Sequence, residues 1–214
     1  MSSNFCCPRC FNRICCCPPV NQGSRGPQGF QGPQGPQGLR GIPGASAIIP
    51  FASGTPVALS SVLGGLLDTA GLIGFGSSTD GVSIAGGIIA LGVGLLNDFA
   101  FVVPRAGTVT SISGFFSSTV GLIASTSPVT VRAELWRSTT PASSTFNPTG
   151  AFVNLAPTYG PGIVGAGINA IGTAPQGLPV SAGDKLLMVF SIVGSTATIA
   201  DALTGFASAG VAIN

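Results

Sequence analysis

Glycine recurs at every third position through the stretch GSRGPQGFQGPQGPQGLRGIPGAS, residues 23–46. Gly23, Gly26, Gly29, Gly32, Gly35, Gly38, Gly41 and Gly44 hold this register without a break. The period is that of a collagen triple helix, where three polyproline-II-like chains meet at an axis with room for no side chain. The X positions are Ser24, Pro27, Phe30, Pro33, Pro36, Leu39, Ile42 and Ala45, and the Y positions Arg25, Gln28, Gln31, Gln34, Gln37, Arg40, Pro43 and Ser46. Proline at X presets the extended backbone. One such strand makes no hydrogen-bonded structure of its own, so the ribbon either winds with two further copies or stays a flexible linker, and the unbroken register favours winding. The rod would be roughly 70 Å long at ~3 Å per residue, too short to gather three dilute chains unaided. A neighbouring domain that trimerises would raise the effective concentration of the three ribbons and remove most of that cost.

The segment before the ribbon, residues 1–22, reads MSSNFCCPRCFNRICCCPPVNQ and holds all six cysteines, Cys6, Cys7, Cys10, Cys15, Cys16 and Cys17. Structural zinc sites use separated cysteine pairs around a small folded unit, which the adjacent triplet Cys15–Cys17 suits badly. Palmitoylation lacks a supporting polybasic patch or amphipathic helix. The preferred reading is a cross-linking or anchoring segment, in which three parallel copies bring their thiols together for interchain disulfides or bonds to cysteine-rich partners, and a disordered thiol tail is the remaining alternative. The segment lacks the 7–15-residue apolar core of a secretory signal, so a route other than ordinary export is expected.

Residues 47–214 read as an all-β domain. No window of helical length sustains an i, i+3, i+4 apolar stripe free of glycine and proline. VTVRAELW, 129–136, alternates Val129, Val131, Ala133 and Leu135 against Thr130, Arg132, Glu134 and Trp136, which places Arg132 and Glu134 on one face as a structural pair. Residues 99–116 read as two strands around Pro104–Gly107, and 178–193 as two strands turning at 182–185. Apolar runs near 48, 58, 72, 88, 152, 168 and 205 add further short strands between Gly, Pro and Ser punctuation. Seven to ten short strands predict a β-sandwich or jelly roll serving as the trimerisation domain. The echo of LGGLLD, 63–68, in LGVGLLND, 91–98, is too short to be a repeat.

Only 7% of residues are charged, against roughly 25% in an ordinary soluble domain, which implies a Ser/Thr/Gly-rich surface or one hidden against other copies. Four separated arginines before residue 45 do not make the dense basic face that nucleic acid requires. The longest apolar run, 82–97, is short of the ~20 residues of a spanning helix, carries four glycines and lies between Asp80 and Asp98, so no membrane span is expected. The chain contains no histidine, and residues 47–214 hold one glutamate and no cysteine, so the usual nucleophile–base constellations cannot be assembled; neither an enzyme nor a cofactor is expected. GPGIVG, 160–165, matches a dinucleotide fingerprint in letters only, because Pro161 and the glycines at 165, 167 and 172 spoil the helix that must follow. The aspartates at 68, 80, 98, 184 and 201 are scattered; calcium at a contact between copies stays open and cannot be placed.

ASAIIPFASGTPVALSSVLGGLLDTAGLIGFGSSTDGVSIAGG, with NDFAFVVPRAGTVTSISGFFSST, VTVRAELWRSTTP, LPVSAGDKLLMVFS and GFASAGVAIN, resembles the C-terminal domain of the collagen-like exosporium glycoproteins of bacterial endospores, the BclB type. The resemblance covers nearly all of 45–214. It implies a tumour-necrosis-factor-like jelly roll that trimerises at the tip of a collagen stalk, in a structural protein of the spore surface without enzymatic activity. Two features differ: 1–22 offers the cysteine cluster instead of an exosporium-targeting leader, and Y is mostly glutamine instead of glycan-accepting threonine. The expectation is a homotrimeric subunit of a spore-surface fibre or nap, on exosporium or appendage, with its head outward and residues 1–22 bound to a cysteine-rich coat, exosporium or appendage protein. The alternative is a trimeric adhesin or phage-type tip that binds a glycan or receptor; a depolymerase is disfavoured by the missing acid/base residues. Replacing Gly35 by a bulkier residue should lower the melting temperature of the ribbon's collagen circular-dichroism signal, and an unchanged melt would show that the ribbon does not wind.

Overall fold

The computed structural model describes residues 23–37, 46–62, 68–91, 99–140, 142–196 and 200–214. The chain divides into two units, Met1–Ile42 and Pro43–Asn214. In the first, residues 23–37 are exposed along their whole length, on a backbone that is neither helix nor strand.

The second unit is all-β, with no α-helix among the described residues. Its strands are β1 (Ala47–Ala52), β2 (Val57–Ser61), β3 (Thr69–Ile73), β4 (Ser78–Ser83), β5 (Ile89–Ala90), β6 (Phe101–Val102), β7 (Gly107–Ile123), β8 (Thr130–Ser138), β9 (Thr145–Asn154), β10 (Gly162–Val164), β11 (Asn169–Val180), β12 (Lys185–Val193) and β13 (Asp201–Ile213). All strand pairs are antiparallel. One layer centres on β7 and β13, which pair from Val109↔Ile213 to Leu122↔Ala202. Strands β10 and β11 line the other edge of β7, and β1 and β2 share the other edge of β13. The second layer runs β4–β3–β12–β8–β9, with β6 added to β12 and β5 to β9. The layers meet at two corners, through the pair Ser60↔Thr69 and the bridge Ala156↔Ile171. This open, two-layered antiparallel sheet is consistent with a jelly roll.

Between the layers lies the main core, with Ile112, Phe116, Leu203 and Val211 from one side and Val131, Leu135, Met188 and Phe190 from the other. The period-2 alternation of β8 and β13 puts these residues inward. Strand β12 departs from alternation because both of its faces are buried: Leu186, Met188, Phe190 and Ile192 face the main core, while Leu187 and Val189 enter a second cluster on the outer side. That cluster joins them to Ala70, Leu72, Val82, Ile89, Leu91, Trp136 and Phe146, with Ile84, Phe99 and Ala100 packed against it. Residues of the 82–100 stretch thus help cover the outer face of the second layer.

The hairpin expected over 178–193 forms. Asp184 N–H donates to the Ser181 carbonyl at 3.1 Å, and Gly183 takes φ 91° between them, a conformation glycine adopts without steric cost. Two strands flank Pro104–Gly107 as expected, and each of the seven further apolar runs lies on or beside a strand. Two details differ. Thirteen strands form among the described residues, because two- and three-residue edge pieces such as β5, β6 and β10 carry no alternation of their own. Glycine does not punctuate β7, which passes straight through Gly114; a Cβ there would lie 3.0 Å from Leu155 Cδ2 and 3.2 Å from Ala133 Cβ, so the residue marks close approach of the layers. Trp136, placed with the polar face of β8, is buried in the second cluster, which occupies that face.

Among the described residues, no helix is long and apolar enough to cross a membrane. The echo at 63–68 and 91–98 lies largely outside the described residues. Because both clusters are close-packed, Leu135→Ala in the main core and Leu187→Ala in the second should each cost about 2–5 kcal/mol in urea unfolding. A loss under about 1 kcal/mol at Leu187 would show that the outer cover is loosely held.

Candidate self-association face

The outer face of the β7/β13 layer is built by strict pairing. Ile171, Phe115, Ser208 and Ala52 form one row across β11, β7, β13 and β1. Thr173, Ser113, Gly210 and Pro50 form the next, and Pro175, Ser111, Ala212 and Ile48 the third. Toward the other end of the strands, Phe206 faces Ser117, Thr204 faces Val120, and Ala202 faces Leu122 with Ile163 beyond it. None of these residues is charged. The charged side chains of the second unit's described part lie elsewhere: Arg132, Glu134 and Arg137 on β8, Asp80 on β4, Arg105 before β7, Asp68, Asp184 and Lys185 near turns, and Asp201 buried at the start of β13.

Among the described residues the face is uncovered as well as uncharged. Phe206 is 45% exposed, Leu122 52%, Val120 59%, Ile171 64% and Ile163 87%. Phe206, Leu122, Val120 and Ile163 gather where β7 ends and β13 begins, with Ile171 beside the middle of β7, whereas the opposite half carries mostly small Ser, Thr, Gly, Ala and Pro side chains, with Ile48, 74% exposed, on its β1 edge. There, Ser113 and Thr173 hydroxyls bond each other at 2.8 Å across β7 and β11. Exposed apolar patches of this kind are characteristic of interaction surfaces. Four strand columns about 4.8 Å apart and about ten residues long give a footprint on the order of 700 Å², close to what one partner gives a standard protein interface.

A buried polar clamp fixes the apolar end. Asp201 accepts the Ser125 N–H at 2.8 Å and the Ser125 hydroxyl, and that hydroxyl accepts the Thr196 N–H at 3.0 Å. The β7–β8 connection is thereby tied to the chain leading into β13. Burial alone would push the Asp201 carboxyl up, but the hydroxyls of Ser125 and Ser195 and the amides of Ser125 and Ala124 outweigh it and hold it below the usual carboxylate range. At the other end the chain terminus is stitched down: Asn214 N–H donates to the Thr108 carbonyl at 3.0 Å and Thr108 N–H to the Asn214 carbonyl at 3.2 Å.

Arg132 and Glu134 share a face but form no direct salt bridge. The Arg132 guanidinium carbon sits 4.0 Å from the centre of the Phe152 ring while Nε donates to Asn154 Oδ1 at 2.9 Å. Burial pushes the Glu134 carboxyl up, and the Arg132 charge with hydrogen bonds from Trp136 and the Gly150 amide offsets this in part. Arg137 instead contacts Asp184 at 3.7 Å and donates to the Pro179 carbonyl at 2.9 Å, bracing the β11–β12 turn.

Cys6, Cys7, Cys10, Cys15, Cys16 and Cys17, together with Gly38, Gly41 and Gly44, lie outside the described residues. Gly23, Gly26, Gly29, Gly32 and Gly35 are described and exposed, and a Cβ built at each would meet nothing within 4 Å. The sequence reading did not single out Val120, Leu122, Ile163, Ile171 or Phe206. One sign of them was available: β13 alternates DALTGFASAGVAI with no charge on either face after Asp201, where a solvated strand would carry one.

No protein-family model matches the chain. Over 185 residues, 80% of its length, it is 32% identical to Collagen-like protein 1 of Acanthamoeba polyphaga mimivirus. This likeness supports a collagen-like protein. The match is too long to rest on the Gly-X-Y ribbon and extends well into the β unit. The chain spans 19% of that relative's length.

Asp201 gives the pH prediction. Its folded pKa is lowered, so the stability it contributes is complete above its unfolded value near 3.8 and is lost as pH falls through the lower folded value. Asp201→Asn should therefore lower stability at neutral pH and flatten its decline below about pH 4. Equal acid slopes in the two proteins, read by urea midpoints across pH, would count against the clamp.

Proposed function

We propose that this chain is a non-enzymatic structural subunit of a surface fibre and works as a homotrimer. Three ribbons, 23–46, wind as a collagen triple helix. Three β units, each a jelly roll of the tumour-necrosis-factor-like kind, hold them in step. The observation that carries this reading is the outer face of the β7/β13 layer, which is broad, lacks charge and is left uncovered by the described residues, unlike the outer face of the second layer. Three such faces closing around a threefold axis would bury Phe206, Val120 and Leu122 and leave the charged face of β8 turned outward. The likeness to a protein named collagen-like supports a structural role. Placement on the spore surface, on exosporium or appendage, rests on the resemblance of 45–214 to exosporium glycoproteins. Cysteine-rich coat, exosporium or appendage proteins are the proposed partners of Cys6, Cys7, Cys10, Cys15, Cys16 and Cys17, which would anchor or cross-link the trimers.

A second reading, a trimeric adhesin or phage-type tip, draws on the viral origin of the relative and on the Arg132–Phe152 stack beside Asn154. A planar cation, an aromatic ring and an amide together can hold a sugar. Specific binding of the full-length chain to a glycan array, lost in Arg132→Ala, would favour it.

Light scattering of the full-length protein in reductant should give the mass of three chains. Phe206→Asp combined with Val120→Asp should yield single chains with unchanged β-type circular dichroism, since both side chains point away from the core. A single-chain mass for the unaltered protein would overturn the trimer, and a three-chain mass for the variant would overturn this face as its seam.

A further inference from the structure

Four glutamines occupy consecutive Y positions of the ribbon, Gln28, Gln31, Gln34 and Gln37, and all four are exposed. Their backbone is neither helix nor strand, and proline precedes Gln28, Gln34 and Gln37 and keeps it extended. In a wound Gly-X-Y rod only glycine occupies the axis, so the Y carboxamides point outward whether the ribbon is single or triple. Successive amides lie roughly 9 Å apart along the strand, at ~3.1 Å per residue. No acid lies in the first unit, and Arg25 is the one charge within 23–37. Gln176, in the β unit, contrasts with these four: its amide donates to the Phe152 carbonyl at 2.9 Å and is half-buried.

The complementary group is scarce. The chain has a single lysine, Lys185. It is 9% exposed, with its ammonium 5.4 Å from the centre of the Phe146 ring. The protein therefore presents a row of reachable side-chain amides and no reachable lysine of its own.

We propose that Gln28, Gln31, Gln34 and Gln37 are acyl-donor sites, through which a glutamine-specific thiol acyltransferase of the transglutaminase class joins the ribbon to lysines of a different protein. The enzyme's thiolate attacks the glutamine Cδ, and the amide nitrogen leaves as ammonia, giving a thioester. A lysine ε-amine of the partner then attacks the thioester, forming an Nε-(γ-glutamyl)lysine isopeptide bond and returning the thiolate. No oxidant or reductant takes part. Carboxamides that point outward from an extended backbone are open to an enzyme cleft from the side, and an acyl-donor row without an accessible acceptor gives linkage to other proteins over linkage between copies.

The test incubates the full-length chain with a calcium-independent microbial transglutaminase and dansylcadaverine as the amine probe. Mass spectrometry of the digest should place the probe on the four ribbon glutamines and leave Gln176 unlabelled. Replacing all four by asparagine, which keeps the amide but shortens the side chain by one methylene, should abolish ribbon labelling. Gln34→Asn alone should remove only its own site, which separates loss of the acyl donor from a general change in the ribbon. Without probe, the enzyme should leave the chain free of lysine-linked multimers, whereas adding a lysine-rich acceptor protein should produce a conjugate. Labelling of the native chain no greater than that of the quadruple variant, or confined to Gln176, would overturn the proposal, as would multimers cross-linked through Lys185.

Discussion

A β-sheet has two faces, and a two-layered sheet that buries its inner faces still has two outer ones to shield or solvate. This chain meets that constraint differently on each side. The second layer is covered by its own polypeptide: Ile84, Ile89, Leu91 and Phe99 pack with Leu72, Trp136, Leu187 and Val189, so β12 is buried on both faces. The β7/β13 layer has no such cover among the described residues and no charges to solvate it. Apolar area removed from water contributes about 25 cal/mol per Å², so covering such a face would favour association.

Association through this face, as proposed, would also answer the physical problem of the ribbon. At Gly23, Gly26, Gly29, Gly32 and Gly35 a Cβ would meet nothing within 4 Å, and in a collagen triple helix two further strands occupy that space. Chains joined elsewhere need not search for one another, so a clamp in the β unit would turn a costly trimolecular step into a local one. Strand β1 opens the β unit where Ala47 pairs with Ile213, and the terminal Asn214 is bonded to Thr108. The first strand after the ribbon is thus held along its whole length by the strand that ends the chain.

The sparse charges inside the β unit act as fasteners. Asp201 gathers the β7–β8 connection and the approach to β13, and Arg137 with Asp184 braces the β11–β12 turn. Each charge is held by hydrogen bonds as well as by packing, which is what allows a buried ion to persist. Arg132 and Glu134 show that a shared face is not the same as a pair. Cross-strand neighbours decide the partner: Arg132 faces Asn154, Glu134 faces Phe152, and the guanidinium settles over the ring.

The glycine period, the β class and the hairpin at 182–185 were determined by residues acting on their own neighbours: the room a glycine leaves, the alternation of a strand, the dihedral a turn demands. Those constraints are local, and sequence displays them directly. Which apolar face of β8 or β12 is core, why Gly114 lies mid-strand, and which outer face is left bare were decided only by the tertiary structure. Strands such as β7, β11 and β13 set apolar residues against small uncharged ones, so the pattern that separates inside from outside in an ordinary domain is faint. Only the packing of residues far apart in the chain, Trp136 clustered with Ile89 and its neighbours while Phe206 stays exposed, shows which side each strand turns to water.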